Sequence, residues 1–457
     1  MVKAAVAKDT TLKTAASEDT VQMVEAAASE DTTVDTAATE DITVETAASE
    51  DITVETAASE MTTCFLWLRK STLNPLSSKI TWMLIMDENN FEFMNMINDP
   101  DYLRAKNYYS SLESSDALQT SAACSAVSRL LSQSVQQALT HVHPEVCKRF
   151  FGCGLVAPEK LKGCSVLDLG SGSGRDCYVL SQLVGEDGRV TGIDMTEDLI
   201  QTSRKYMGYH QEHFGYAKPN TEFVHGYMEK LGDAGIQDGS MDVVVSNCVI
   251  CLCPDKRAVL SEAYNVLKVG GELYFSDMYA SEVVPESFRL DPVLWGEGMG
   301  GALYWHDFIS IMKDLGFSTP RLVAASRIDV HNPELQAKAG DIKYASGTYR
   351  AFKLPKHSIQ TTALVTYKGT VPDCAECFKL DASNSFKVNV PVEVDAEMAA
   401  ILQYTRFSPD FIIQMTDKPD PSLSSAQQYC HLSPFILADR LGSCMKQCSK
   451  TGVAAKS

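Results

Sequence analysis

Asp168-Leu169-Gly170-Ser171-Gly172-Ser173-Gly174 decides the fold: it follows the apolar run Ser165-Val166-Leu167 and leads into a helical stretch beginning near Arg175. Glycine is required where backbone turns at positive φ, or where a ligand approaches with no Cβ in the way. Three alternate here. A dinucleotide fingerprint needs its third glycine one position later, where Arg175 stands, so a pyrophosphate seated on the helix end is disfavoured. The acidic residue instead sits inside the strand just before the glycines, where its carboxylate can meet an ammonium group.

Outward from the loop, strands and helices alternate. Arg189–Asp194, Thr221–His225, Met241–Asn247 and Glu272–Ser276 read as strands, with helices from about 175 and 196 and over Lys256–Leu267, the last closed by Gly270-Gly271. Such alternation implies a parallel sheet with right-handed crossovers. The predicted fold class is therefore α/β, a doubly wound Rossmann-like sheet with an N-terminal helical segment and a small C-terminal domain.

The expected cofactor is S-adenosylmethionine, cationic at both nitrogen and sulfur. Asp168, Gly170, Ser171, Gly172 and Gly174 would receive its amino-acid half. Asp194, at the end of the second strand with Met195 beside it, can accept hydrogen bonds from both ribose hydroxyls. Glu229, in Gly226-Tyr227-Met228-Glu229, is placed for an adenine contact, and Asn247 ends the strand that points at the methyl group.

The expected organisation is an acidic decapeptide repeat without fixed structure over 1–60, an extension over 61–100, a helical segment over 101–163 and a methyltransferase domain over 164–320. A β-rich domain over 321–415 and a loose Cys-containing tail over 416–457 complete it. The repeat, TAASEDTTVD and its copies, carries too few apolar side chains to offset chain entropy. Residues 1–60 hold 14 of the 59 acidic side chains and 3 of the 40 basic ones, so the rest of the chain is mildly acidic. Neither part offers the basic field that phosphates or anionic lipids need, so no nucleic-acid or membrane partner is expected. The apolar stretch 61–86 is broken by Arg69, Lys70, Pro75 and Lys79, too often to span a bilayer. Fourteen cysteines are too dilute for a secreted disulfide scaffold, and a reducing, cytoplasmic setting is expected.

Three cysteines, Cys248, Cys251 and Cys253, crowd the end of the fourth strand. Ligands of an open α/β sheet bind outside the carboxyl ends of strands, so these sulfurs would face the transferable methyl. Thiolate suits soft, thiophilic centres, although a buried cysteine is also a common small hydrophobe. The pairs Cys374/Cys377 and Cys444/Cys448 have spacings used by structural zinc, but they lie far apart in sequence, and zinc is disfavoured there.

Over about 100–415 the chain resembles the animal-type arsenite methyltransferases. The likeness rests on Arg149-Phe150-Phe151-Gly152-Cys153-Gly154-Leu155-Val156, on Asp168 through Gly185, on Val245-Ser246-Asn247-Cys248-Val249-Ile250 and on Gly300-Gly301-Ala302-Leu303-Tyr304-Trp305. It implies methyl transfer to thiol-bound trivalent arsenic, with disulfide formation as the reducing step and thioredoxin or glutathione as reductant. It further implies Cys124 and Cys153 as a redox pair and Cys248 as an arsenic ligand. In that family a second ligand cysteine lies in the Trp-Gly-Glu segment; here the position is Gly298, while Cys251 and Cys253 stand where Asn and Val are expected. The loss of that sulfur leaves two other readings open: a methyltransferase for a small organic acceptor, and a metalloid-binding homologue of weakened activity.

Overall fold

The structure, a computed structural model, describes residues 99–111, 132–150, 152, 155–330, 332–359, 361–419 and 430–441. The decapeptide repeat, Cys124, Cys153, Cys444 and Cys448 lie outside them.

Eight strands form one sheet: β1 Ser165–Leu169, β2 Arg189–Asp194, β3 Thr221–His225, β4 Met241–Asn247, β5 Leu267–Ala280, β6 Leu303–Tyr304, β7 Arg321–Ile328 and β8 Tyr344–Phe352. The order is β3-β2-β1-β4-β5-β8-β7, with β6 beside β5. β1 to β5 pair in parallel, and β8 runs antiparallel to both of its neighbours. Val166, Leu167 and Leu169 are fully buried because helices cover both faces, which is why β1 reads as a continuous apolar run. Strand order reverses at β1, so the carboxyl ends of β1 and β4 open a crevice. Gly174 starts the helix Arg175–Val184 at φ +88, and a Cβ there would lie 2.9 Å from the Phe223 ring.

Three expectations are corrected. The sheet does not end at 320: β7 and β8 complete it, and all nine residues of β8 are buried. Gly270-Gly271 does not close the preceding helix, since β5 begins at Leu267 and runs through both glycines with a register shift against β4. The tail is not loose throughout. Leu432, Phe435, Leu437 and Ala438 pack into the main core, and the Tyr349 hydroxyl donates to the Leu432 carbonyl at 2.6 Å.

The C-terminal domain is a sheet ordered β12-β9-β13, with β9 Thr361–Tyr367, β12 Pro391–Val394 and β13 Phe411–Pro419. A hairpin, β10 Cys377–Lys379 with β11 Ser385–Lys387, and the helix Ala396–Tyr404 close a core that includes Tyr367, Phe378, Phe386 and Phe411. Arg350 of β8 joins this domain to the main sheet. It bonds Glu272 Oε1 at 2.5 Å and the Leu380 carbonyl at 2.9 Å, while Arg406 binds the other Glu272 oxygen.

Candidate active site

The crevice at the switch point is a cleft open to solvent. Asp168 and the Gly170–Ser173 loop form its floor, Asp194 and Met195 one wall, and Asn247 and Cys248 the other. The helix Pro100–Ser111 packs on the helix Pro292–Gly296, with the Tyr109 hydroxyl donating to the Gly296 carbonyl at 3.1 Å, and so brings Tyr102 and Tyr109 over the cleft. Gly174 does not line the cleft; it starts the helix behind it.

The floor is acidic and buried. Asp168 is 2% exposed and accepts a hydrogen bond from Cys177 Sγ at 3.2 Å. Burial, followed by the neighbouring Asp176, pushes its pKa well above the usual carboxylate range. Asp194 is buried too, and burial raises its pKa although its oxygens accept from the amides of Gly172 at 2.9 Å and Thr196 at 2.8 Å. Asp176 Oδ2 accepts from Asn247 Nδ2 at 2.7 Å, which fixes that side chain at the rim. Glu229 is raised by burial while the Tyr102 hydroxyl bonds to it, and its Oε1 is buried without a partner, as is Ser171 Oγ. Buried carboxyls whose charged forms burial disfavours, beside two orphaned polar atoms, fit a cationic nucleoside ligand. S-adenosylmethionine has that chemistry.

Of the three crowded cysteines, two reach the cleft. Cys248 adopts φ +57, its amide donates to the Ser276 carbonyl at 2.8 Å, and its sulfur is in a disulfide. The other eight described cysteines are free. Cys253 lines the cleft with Sγ 3.4 Å from the Val249 carbonyl. Cys251 turns behind it into a small cavity with Asp277 and Lys256. Its thiol bonds to Asp277, and burial, then that carboxylate, raises its pKa well above the usual. Lys256 is pushed the other way by burial and donates to the Cys253 carbonyl at 2.8 Å.

Several of these roles were not readable beforehand. Cys177 holds Asp168, Tyr102 bonds to Glu229 and Asp277 bonds to Cys251, contacts that no spacing in the sequence announces. Only coordinates join Tyr102 to Glu229, 127 positions further along the chain.

Residues 160–316 match the family described as Methyltransferase domain, and residues 360–457 match the Arsenite methyltransferase C-terminal domain. With this sheet, floor and cleft, the chain is an S-adenosylmethionine-dependent methyltransferase of the class I fold. The mouse arsenite methyltransferase is 50% identical over 318 residues, covering 69% of this chain and 84% of the relative. The human arsenite methyltransferase is 48% identical over 341 residues, 74% of this chain and 91% of the relative. The crystal structure of an arsenic (III) S-adenosylmethionine methyltransferase from Chlamydomonas reinhardtii superposes with a TM-score of 0.61 at 41% identity, covering 63% of this chain and 98% of that one. The chain belongs to the arsenite methyltransferase family.

Proposed function

We propose that this chain methylates trivalent arsenic, as arsenite or methylarsenite, held on thiolates at the rim of the cofactor cleft. One observation carries the reading: Cys248 and Cys253 line the same acidic cleft, so two sulfurs border the place where the cofactor's methyl group would lie. Trivalent arsenic favours a pyramid of sulfurs with its lone pair free, and thiolate is a soft ligand suited to it. S-adenosylmethionine, bound there, supplies an electrophilic methyl that the arsenic lone pair accepts.

The chain's own residues do the rest. Asp168 and Asp194 are the groups to hold the ammonium and the ribose, and Glu229 the adenine. Asn247, fixed by Asp176, shapes the rim beside Cys248. Orientation supplies the catalysis, because aligning two reactants removes several kcal/mol of entropic barrier, of order 7–11 at best. No general base is required. Cys253 on the cleft and Cys251 behind it are the further sulfurs proposed for substrate. Arsenic rises from III to V on methylation; two thiolates that leave it as a disulfide return two electrons and restore III. Cys124, Cys153 and Cys248 are proposed for that step, with thioredoxin or glutathione regenerating the thiols in a reducing, cytoplasmic setting. No helix among the described residues is long and apolar enough to cross a membrane.

Incubation of reduced protein with arsenite or methylarsenite, thiol and labelled cofactor, followed by arsenic speciation, tests this. Methylated arsenicals are expected, and Cys248→Ser should lower their production at least about a hundredfold while cofactor affinity changes little. Unchanged production by Cys248→Ser would falsify the assignment.

A further inference from the structure

Two thiols of the C-terminal domain stand apart from the cleft. Cys374 and Cys377 are free and half-buried, and the residues between them, Ala375 and Glu376, are exposed. The turn that carries them is pinned from both sides. Tyr367 Oη accepts from the Val371 amide at 3.0 Å and donates to the Cys374 carbonyl at 2.9 Å, and the Cys374 amide donates to the Val371 carbonyl at 3.1 Å. On the far side, the Glu376 carbonyl accepts from the Val388 amide at 2.9 Å, and Cys377 pairs with Lys387 to open β10. Asp373 is held in turn by the Ser134 hydroxyl. Two sulfurs three positions apart are thus carried on backbone fixed by the core residue Tyr367.

The surroundings select the chemistry. Burial first, then Glu159, Asp373 and Cys377 itself, push the Cys374 thiol up to about 11, so it is protonated at neutral pH. Dithiols that exchange with disulfides work through a thiolate stabilised by positive neighbours, and here the neighbours are negative. Structural zinc takes four ligands, and no group of three or more His, Cys, Asp or Glu side chains among the described residues is placed to hold a metal ion. Condensation with a trivalent arsenical has neither requirement. In R–As(OH)2 + 2 HS–Cys → R–As(S–Cys)2 + 2 H2O, two As–O bonds break and two As–S bonds form. Each hydroxide leaves as water with a thiol proton, arsenic stays trivalent, and no charge is created.

We propose that Cys374 and Cys377 form a second arsenical site, a dithiol clamp for a monosubstituted trivalent arsenical on the C-terminal domain. The second As–S bond is intramolecular, so its effective concentration is set by the fixed turn. The ligand class rests on the substrate proposed above, and the test therefore reads binding apart from turnover.

Reduced full-length protein is titrated with phenylarsine oxide, alkylated with iodoacetamide and digested with trypsin. Gly369–Lys379 is one tryptic peptide holding both thiols and no other cysteine. Both thiols should be protected together at low equivalents, and Cys374→Ser or Cys377→Ser should weaken protection at the remaining thiol at least about tenfold. Tyr367→Phe, which removes the hydroxyl that pins the turn, should weaken it about threefold or more. Full alkylation of this peptide in the native protein, or protection that survives either serine variant or is indifferent to Tyr367→Phe, overturns the clamp. Protection in a protein that methylates no arsenical leaves the clamp standing and sinks the function proposed above; methylation without protection does the reverse.

Discussion

Cys251 Sγ lies 3.0 Å from the point a Cβ on Gly298 would occupy, and Gly298 holds φ +81. The sulfur at 251 therefore fills space that a side chain at 298 would claim. Gly298→Ala should cost about 1–2 kcal/mol, from backbone strain and this contact together. In a Cys251→Ala background the same change should cost less, leaving the strain alone, and a double-mutant cycle in urea reads the difference. If the sulfur at 251 serves the substrate, Cys251→Ala should lose about tenfold or more in arsenite methylation, and adding Gly298→Cys should restore a good part of it. An additive cycle, with no recovery in the pair, would show that the two positions are independent.

Cofactor binding should release protons. Burial, then Asp176, hold the Asp168 pKa well above the usual carboxylate range in the free protein, and an incoming ammonium or sulfonium lowers it. Affinity should accordingly tighten as pH rises through the Asp168 titration, with a proton release visible by calorimetry in two buffers of different ionisation enthalpy. S-adenosylhomocysteine, lacking the sulfonium charge, should release fewer. Asp168→Asn should flatten the pH dependence and weaken binding by about 2 kcal/mol. The stability sign is opposite in the free protein: a carboxyl raised on folding makes stability fall as pH climbs above its unfolded value near 4. A pH-independent affinity in the native protein would remove Asp168 from the cation site.

The fold was legible because β1, β2 and β4 are short and mostly buried and helices separate β1, β2 and β3, so pattern and tertiary structure agree there. β7 and β8 escaped that reading. Their apolar runs look the same whether they join the main sheet or another, and only register against β5 decides. Gly270-Gly271 misled because a glycine pair after an apolar helix resembles a cap, whereas φ +85 at Gly270 is absorbed by a shift within β5. At the site, Asp168, Asp194 and Cys248 were visible through spacing from strand ends. Cys177 and Asp277 were not, since each acts through a side-chain contact that leaves no local pattern.

The ion cluster that joins the two domains should be costly to break. Glu272 and Arg350 are both fully buried, and Arg406 closes the cluster. Burial works against the Glu272 charge, but Arg350 and then Arg406 overcome it and hold its pKa below the usual range. Glu272→Ala would leave the buried guanidinium of Arg350 with Glu159 as its remaining carboxylate partner at 3.2 Å, with an expected loss of about 3 kcal/mol. Replacing Glu272 and Arg350 together by apolar residues should recover much of it. Because the folded pKa is depressed, the native cluster's contribution is present above about pH 4–5 and is lost as pH falls through the folded value. Urea melts of the three proteins at pH 7.5 test this, and a single variant no weaker than the double would refute it.

His210 should make the protein acid-sensitive in a different window. The His143 amide donates to His210 Nε2 at 3.1 Å, so Nε2 must be unprotonated, and Nδ1 faces the Tyr206 carbonyl at 2.7 Å as the donor. The ring stacks on Tyr178 at 3.5 Å. Burial, aided by His143 and His213, brings its pKa down to about 4. An unfolded histidine titrates near 6.5, so between about pH 6.5 and 4 the unfolded chain binds a proton that the native one refuses. Stability must then fall as pH drops through that window, by up to about 3 kcal/mol for the full difference. Protonation also sets a donor against the His143 amide, so the short helices before the sheet should loosen first, with hydrogen exchange at Val135–Val146 rising earlier than at β1. His210→Asn should be less stable at pH 8 yet show a shallower decline below pH 6.5. A variant whose acid decline matches the native slope would mean that other groups govern it.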